Sequence, residues 1–129
     1  MSLNVPATVL QRAERGEATD ADLITCMKTS LPYAWSVISD LAARTAAAGA
    51  SFADNQAAPP DEQARGQLLR MMASDAMRRA IEQYFNVRVA FQNCHRAAVF
   101  TPQASDDLYE TFVSAPAQLM NQSPQLVNC

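Results

Sequence analysis

Cys94 and His95 stand side by side, and His95 is the only histidine in the chain. A thiol next to an imidazole is the raw material of nucleophilic catalysis, because the ring can take the thiol proton. Neighbours on a regular strand point to opposite faces, so these two could meet only in a turn. There is no second histidine and no evident orienting group, and the plainer reading is a buried thiol beside a turn histidine. A zinc site would have to gather Cys26, Cys94, His95 and Cys129 from three distant segments, with no C-x-x-C or H-x-x-H pair to seed it. Phosphate loop, dinucleotide fingerprint, G-x-S-x-G elbow and H-E-x-x-H are all missing, and Gly16, Gly49 and Gly66 are too scattered to cradle a phosphate. No catalytic residue, metal ligand or cofactor is therefore assigned, although buried carboxylates acting together would leave no local signature.

Arginine is the stronger signal. Arg65, Arg70, Arg78, Arg79, Arg88 and Arg96 face only Asp75 and Glu82 within their own stretch, a balance of +4. In a chain of net charge −3 the remainder then carries −7. Guanidinium forks suit phosphates and carboxylates. Around Arg88 and Arg96 cluster Cys94, His95 and the amides Asn55, Gln56, Gln92 and Asn93, a set that would suit an anionic metabolite. The helical arginines do not share a face, since Arg78 and Arg79 differ by about 100° around the axis and Arg65 and Arg70 by about 140°. They form a solvated rim, with Asp75–Arg79 and Arg78–Glu82 as i,i+4 pairs. Nucleic-acid binding is disfavoured because the domain as a whole is acidic. Nine arginines against the single Lys28, with abundant alanine, also look like GC-rich coding.

The elements that carry these groups follow from periodicity and punctuation. Pro6 to Arg15 predicts a short helix stopped at Gly16. Thr19 suits an N-cap, with Asp20 and Asp22 in the first turn, as Ser105 does before Asp106 and Asp107. Pro32 must break the second helix, and Ser30 is the expected cap of the third, which runs to about Ala48 and stops at Gly49. Ala34, Val37, Ile38, Leu41 and Thr45 form its apolar face. The segment from Phe52 to Pro60 is expected to be a polar loop.

From Asp61 to about residue 85 the period predicts one long central helix. Its stripe is Leu69, Met72, Ala73, Ala76, Ala80 and Tyr84. Leu68, Met71, Met77 and Ile81 widen that stripe until two sides look buried, and a break, if any, would fall at Ser74. Val87, Val89 and Phe91 alternate with Arg88 and Ala90 as in a half-buried strand, and residues 97–100 make its hairpin partner. A last helix spans Asp106 to Val113, and a polar tail, short helix or coil, covers about 116–129. The fold class is thus α+β, a helix-dominated single domain over 1–129 with one long central helix and a small β-hairpin.

At 129 residues and 49% hydrophobic content the chain can bury a core without staples. No run approaches the roughly 20 apolar residues of a membrane span, and Met1 to Pro6 lacks a signal-peptide pattern. A cytoplasmic setting follows as an expectation, with Cys26, Cys94 and Cys129 as thiols.

Phe52-Ala53-Asp54-Asn55, Ala64-Arg65-Gly66-Gln67-Leu68-Leu69-Arg70, Phe91-Gln92-Asn93-Cys94-His95-Arg96 and Asn121-Gln122-Ser123-Pro124, taken as a set, resemble a family of short uncharacterised proteins from high-GC actinobacteria. The resemblance spans nearly the whole chain. It implies a cytosolic bacterial protein of one domain and carries no catalytic or binding residue with it.

The leading expectation is a non-catalytic cytoplasmic protein that acts through protein–protein contact as a homodimer, because the widened stripe leaves apolar helix surface over. The alternative is a small enzyme or anion binder built on Arg88, Arg96, Cys94, His95, Gln92, Asn93 and Asn55.

Overall fold

A computed structural model describes residues 2–93 and 96–120. Among these the order is α1 (Ala7–Glu14), α2 (Asp20–Ser30), α3 (Pro32–Ala48), β1 (Phe52–Asp54), α4 (Glu62–Met72), α5 (Asp75–Phe85), β2 (Arg88–Gln92), β3 (Arg96–Phe100), α6 (Asp106–Phe112) and α7 (Ala115–Met120). The fold is the helix-dominated α+β domain that the sequence predicts. It differs in two elements and one cap.

First, the long helix is two helices. Ser74 takes an extended backbone, φ −97° and ψ 117°, and its Oγ accepts the Met77 N–H at 3.2 Å, so it caps α5. The break explains the apparent double stripe. Leu68 and Met77 would lie about 180° apart on one unbroken helix. Across the turn both enter the same core, 0% and 2% exposed. The expected stripe is accordingly wrong in part, with Leu69, Ala73, Ala76 and Tyr84 exposed and Leu68, Met71, Met77 and Ile81 buried.

Second, the loop after Phe52 begins with a strand. β1 pairs antiparallel with β3, Ala53 opposite Val99, and β2 pairs with the other edge of β3, Ala90 opposite Ala98. The sheet order is β1-β3-β2, so the expected hairpin is two thirds of a three-stranded sheet. Three residues between Ser51 and Asn55 gave too short an alternation to be read as a strand.

The cap of α3 also departs from expectation. Ser30 ends α2, and its Oγ accepts the Asn4 N–H at 2.7 Å. The free N–H groups at the start of α3 instead meet a side chain from α4: Gln67 Oε1 accepts from Tyr33 N at 2.7 Å and Ala34 N at 3.2 Å. Helix starts leave such donors orphaned, and a buried one is costly.

The sheet separates two apolar layers. Alternation sends Val89, Ala97 and Val99 into the main core with Met27, Leu31, Ile38, Leu41, Leu68, Met71 and Ile81. The other face presents Ala90, Ala98 and Phe100 to Phe112 of α6, with Phe52, Leu108 and Tyr109 around them. Strand β2 was expected to be buried on one face only, yet α6 covers its second face as well.

Both open edges of the sheet are blunted. Glu82 Oε2 accepts the outward Val89 N–H at 2.9 Å, and Arg44 Nη2 donates to the outward Asp54 carbonyl at 3.4 Å. Side chains that occupy edge groups discourage strand addition by another chain.

Candidate functional site

Register brings three of the predicted residues to one face. Arg88, Gln92 and Arg96 all lie on the α6 side of the sheet, Gln92 directly opposite Arg96. Asp54 joins them from β1, opposite Ala98. Arg96 and Asp54 are turned on each other and Gln92 on α6, while Arg88 stays half-exposed.

Arg96 donates through Nε to Asp54 Oδ2 at 2.7 Å and through Nη2 to the same oxygen. The two side chains are 18% and 12% exposed, so the pair is largely shielded from water. Gln56 Nε2 adds a third donor to that carboxylate at 2.8 Å. Gln92 is 2% exposed, and its Nε2 donates to the Phe112 carbonyl at 2.6 Å. This bond ties the end of β2 to the end of α6. Asn93 turns the chain with φ 54°, and its N–H donates to Gln118 Oε1 of α7 at 3.3 Å. Asn55 closes β1: its N–H donates to the Ala97 carbonyl at 2.8 Å and its Oδ1 accepts from Ala57 N. Cys94, His95 and Cys129 lie outside the described residues. Cys26 is a buried free thiol in α2.

Arg88 sits apart from this knot, about one strand length away along β2. Its guanidinium stacks on the Tyr109 ring, 3.5 Å from the centroid, and reaches Asp106 Oδ1 only at 3.8 Å. Candidate residues Arg88 and Arg96 therefore do not converge on one ligand. The expected i,i+4 pairs are also replaced: Arg78 binds Asp75 one turn back, and Glu82 is spent on the strand edge.

A cluster that sequence reasoning did not assemble is aromatic and lies on the opposite layer. Trp35 of α3 packs against Tyr84 and Phe85 of α5, each centroid 5.4 Å away. Lys28, the sole lysine, lies 5.1 Å from both the Trp35 and Tyr84 rings, and its Nζ donates to Tyr84 Oη at 3.3 Å. Tyr84 is 53% exposed. Their separation of up to 56 residues hid the cluster from a local reading.

Among the described residues no group of three or more His, Cys, Asp or Glu could hold a metal ion. No described helix is long and apolar enough to cross a membrane. No curated protein and no solved structure matches the chain. From residue 1 to residue 129 it matches the family described as NucS shadow ORF, and it belongs to that family.

Proposed function

We propose that the chain is a non-catalytic cytoplasmic protein that works through protein contact, with a second copy of itself as the partner. The observation that supports this is the aromatic cluster around Lys28, in which Tyr84 is 53% exposed and Trp35 half-buried. Tryptophan and tyrosine dominate interface hot spots because they bury much area with few rotamers to freeze. Here the rings are already held by one another and by the lysine, so docking would order little more. The widened stripe of one long helix no longer serves as motivation, since the break at Ser74 lets Leu68, Met71, Met77 and Ile81 enter the core. Strand addition at the sheet is also disfavoured by Glu82 and Arg44.

The test is sedimentation velocity over a wide concentration range, with the lone Trp35 as a fluorescent reporter. A mass-action shift to dimer, accompanied by a change in Trp35 emission and abolished by Tyr84→Ser, is the expected result. A monomer at every concentration, or a dimer indifferent to Tyr84→Ser, overturns the reading.

The family description supports a second reading. A shadow open reading frame lies across another coding sequence, and the arginine and alanine bias fits residues shaped by a second set of codons. On that reading the chain is a by-product of NucS coding and has no selected partner. Targeted mass spectrometry for its peptides in cells of the source organism, which the resemblance suggests is an actinobacterium, decides it. Abundant peptides would set the by-product aside, and their absence under conditions where NucS is made would favour it.

A further inference from the structure

The geometry points to an anion site in the cleft between α5 and the β2–α6 side of the sheet, fit for a phosphate monoester that carries hydroxyl groups. The cleft is about 430 Å³, and Arg78, Arg79 and Arg88 line it together with Asp75, Glu82 and Tyr109. Three guanidiniums thus meet two carboxylates, and both carboxylates are already engaged. Asp75 holds Arg78, and Glu82 accepts the Val89 N–H.

Each guanidinium keeps donor capacity. Arg79 forms no ion pair among the described residues. Arg78 Nε is buried without an acceptor among the described residues. Arg88 is held flat on Tyr109, and its one carboxylate, Asp106, is 3.8 Å away and 95% exposed. An incoming phosphate can therefore take Arg88 from Asp106 at small cost and close the fork of Arg79, the planar recognition that arginine favours.

The carboxylates define the rest of the ligand. Bare inorganic phosphate would feel Asp75 and Glu82 as repulsion. A ligand whose hydroxyls donate to those oxygens turns the same groups into acceptors. The volume leaves space for such a body beside the phosphate, since a water molecule takes up only about 30 Å³. A small sugar phosphate meets both conditions.

Titrations of the full chain with inorganic phosphate and with ribose 5-phosphate, at one fixed ionic strength and followed by amide NMR shifts, test the site. Saturable shifts at residues 75–89 and 106–109 are expected, with ribose 5-phosphate binding about tenfold more tightly, the weight of one hydrogen bond to a charged group. Arg79→Gln should weaken binding about tenfold and leave the melting temperature unchanged, because Arg79 is exposed and holds no partner among the described residues. No saturable shift, or equal affinity in Arg79→Gln, overturns the site. Equal affinity for the two ligands overturns the hydroxyl assignment.

Discussion

Arg96 and Asp54, 42 residues apart in the chain, are held to each other on the α6 side of the sheet. Asp54 lies opposite Ala98 and Arg96 two residues earlier on β3, so the contact runs along a cross-strand diagonal. The Arg96 guanidinium also lies 5.7 Å from the Phe112 ring. An arginine that composition marks as an anion binder has become an internal fastener between β1, β3 and α6.

The two halves of that pair should not respond alike. Asp54→Ala leaves a shielded guanidinium without a counter-charge and is expected to cost about 3 kcal/mol in urea unfolding. Arg96→Met should cost less, because Asp54 retains the Gln56 amide. The double variant should recover most of the loss, since well-packed apolar replacements of buried pairs are often neutral. Additive losses in the double variant would show that the two side chains are not coupled.

Local chemistry made much of this fold readable. Thr19, Ser105, Gly49 and Pro32 announce helix ends through groups that act within four residues, and each acts as expected. Ser74 carried the same signal, a hydroxyl followed by Asp75. It was outweighed by an apolar period that continued through it, although burial on two sides of one helix was itself the mark of a break. What could not be read was any contact made across the chain: β1 against β3, Gln67 under α3, Lys28 between Trp35 and Tyr84. Alternation and spacing do not encode which segment will arrive opposite. The same limit applies to the site, where residue type singled out Arg96 and Gln92 but their distant partners decided that both face inward.

Gln67 is the clearest case of stability held by a distant side chain. It is 8% exposed, and its Oε1 serves both the Tyr33 and Ala34 N–H groups. Gln67→Leu keeps the bulk and orphans two donors at the start of α3, an expected loss of about 2 kcal/mol. Gln67→Glu retains the acceptor at a helix N-terminus and should lose less. If the leucine variant is as stable as the parent in urea, the cap is not a source of stability.

Gln92 gives the opposite balance. Its Nε2 bonds the Phe112 carbonyl, while its buried Oε1 has no partner among the described residues. Leucine removes the unpaired oxygen along with the bond and fills the same space, so Gln92→Leu should cost about 1 kcal/mol. Gln92→Ala loses the bond and opens a cavity beneath α6, with an expected cost of about 2–3 kcal/mol. Thermal unfolding should therefore rank parent, leucine, alanine. The reverse order of the two variants would mean that the amide is more fully satisfied than its contacts indicate.

The first two helices are joined through one carboxylate, and that joint should be sensitive to acid. Asp22 accepts the Arg12 guanidinium and, at 3.0 Å, the Thr19 N–H of its own capping box. Its pKa is lowered, chiefly by the Arg12 hydrogen bond and next by the Thr19 N–H. The unfolded carboxyl takes up its proton near the usual value of about 3.9, and the folded one does so only at lower pH. Between those values the unfolded chain binds more protons. The stabilisation is then complete above roughly pH 4 to 5 and is lost as pH falls through the folded value. Asp22→Asn keeps an acceptor for the Thr19 N–H and removes only the charge. The parent should be the more stable of the two near neutrality, and the gap should close in acid. Hydrogen exchange in α1, measured on both proteins along a pH series, reads this directly. A gap that does not narrow as the pH falls below the usual carboxyl value of about 3.9 would place the effect somewhere other than the Arg12–Asp22 charge pair.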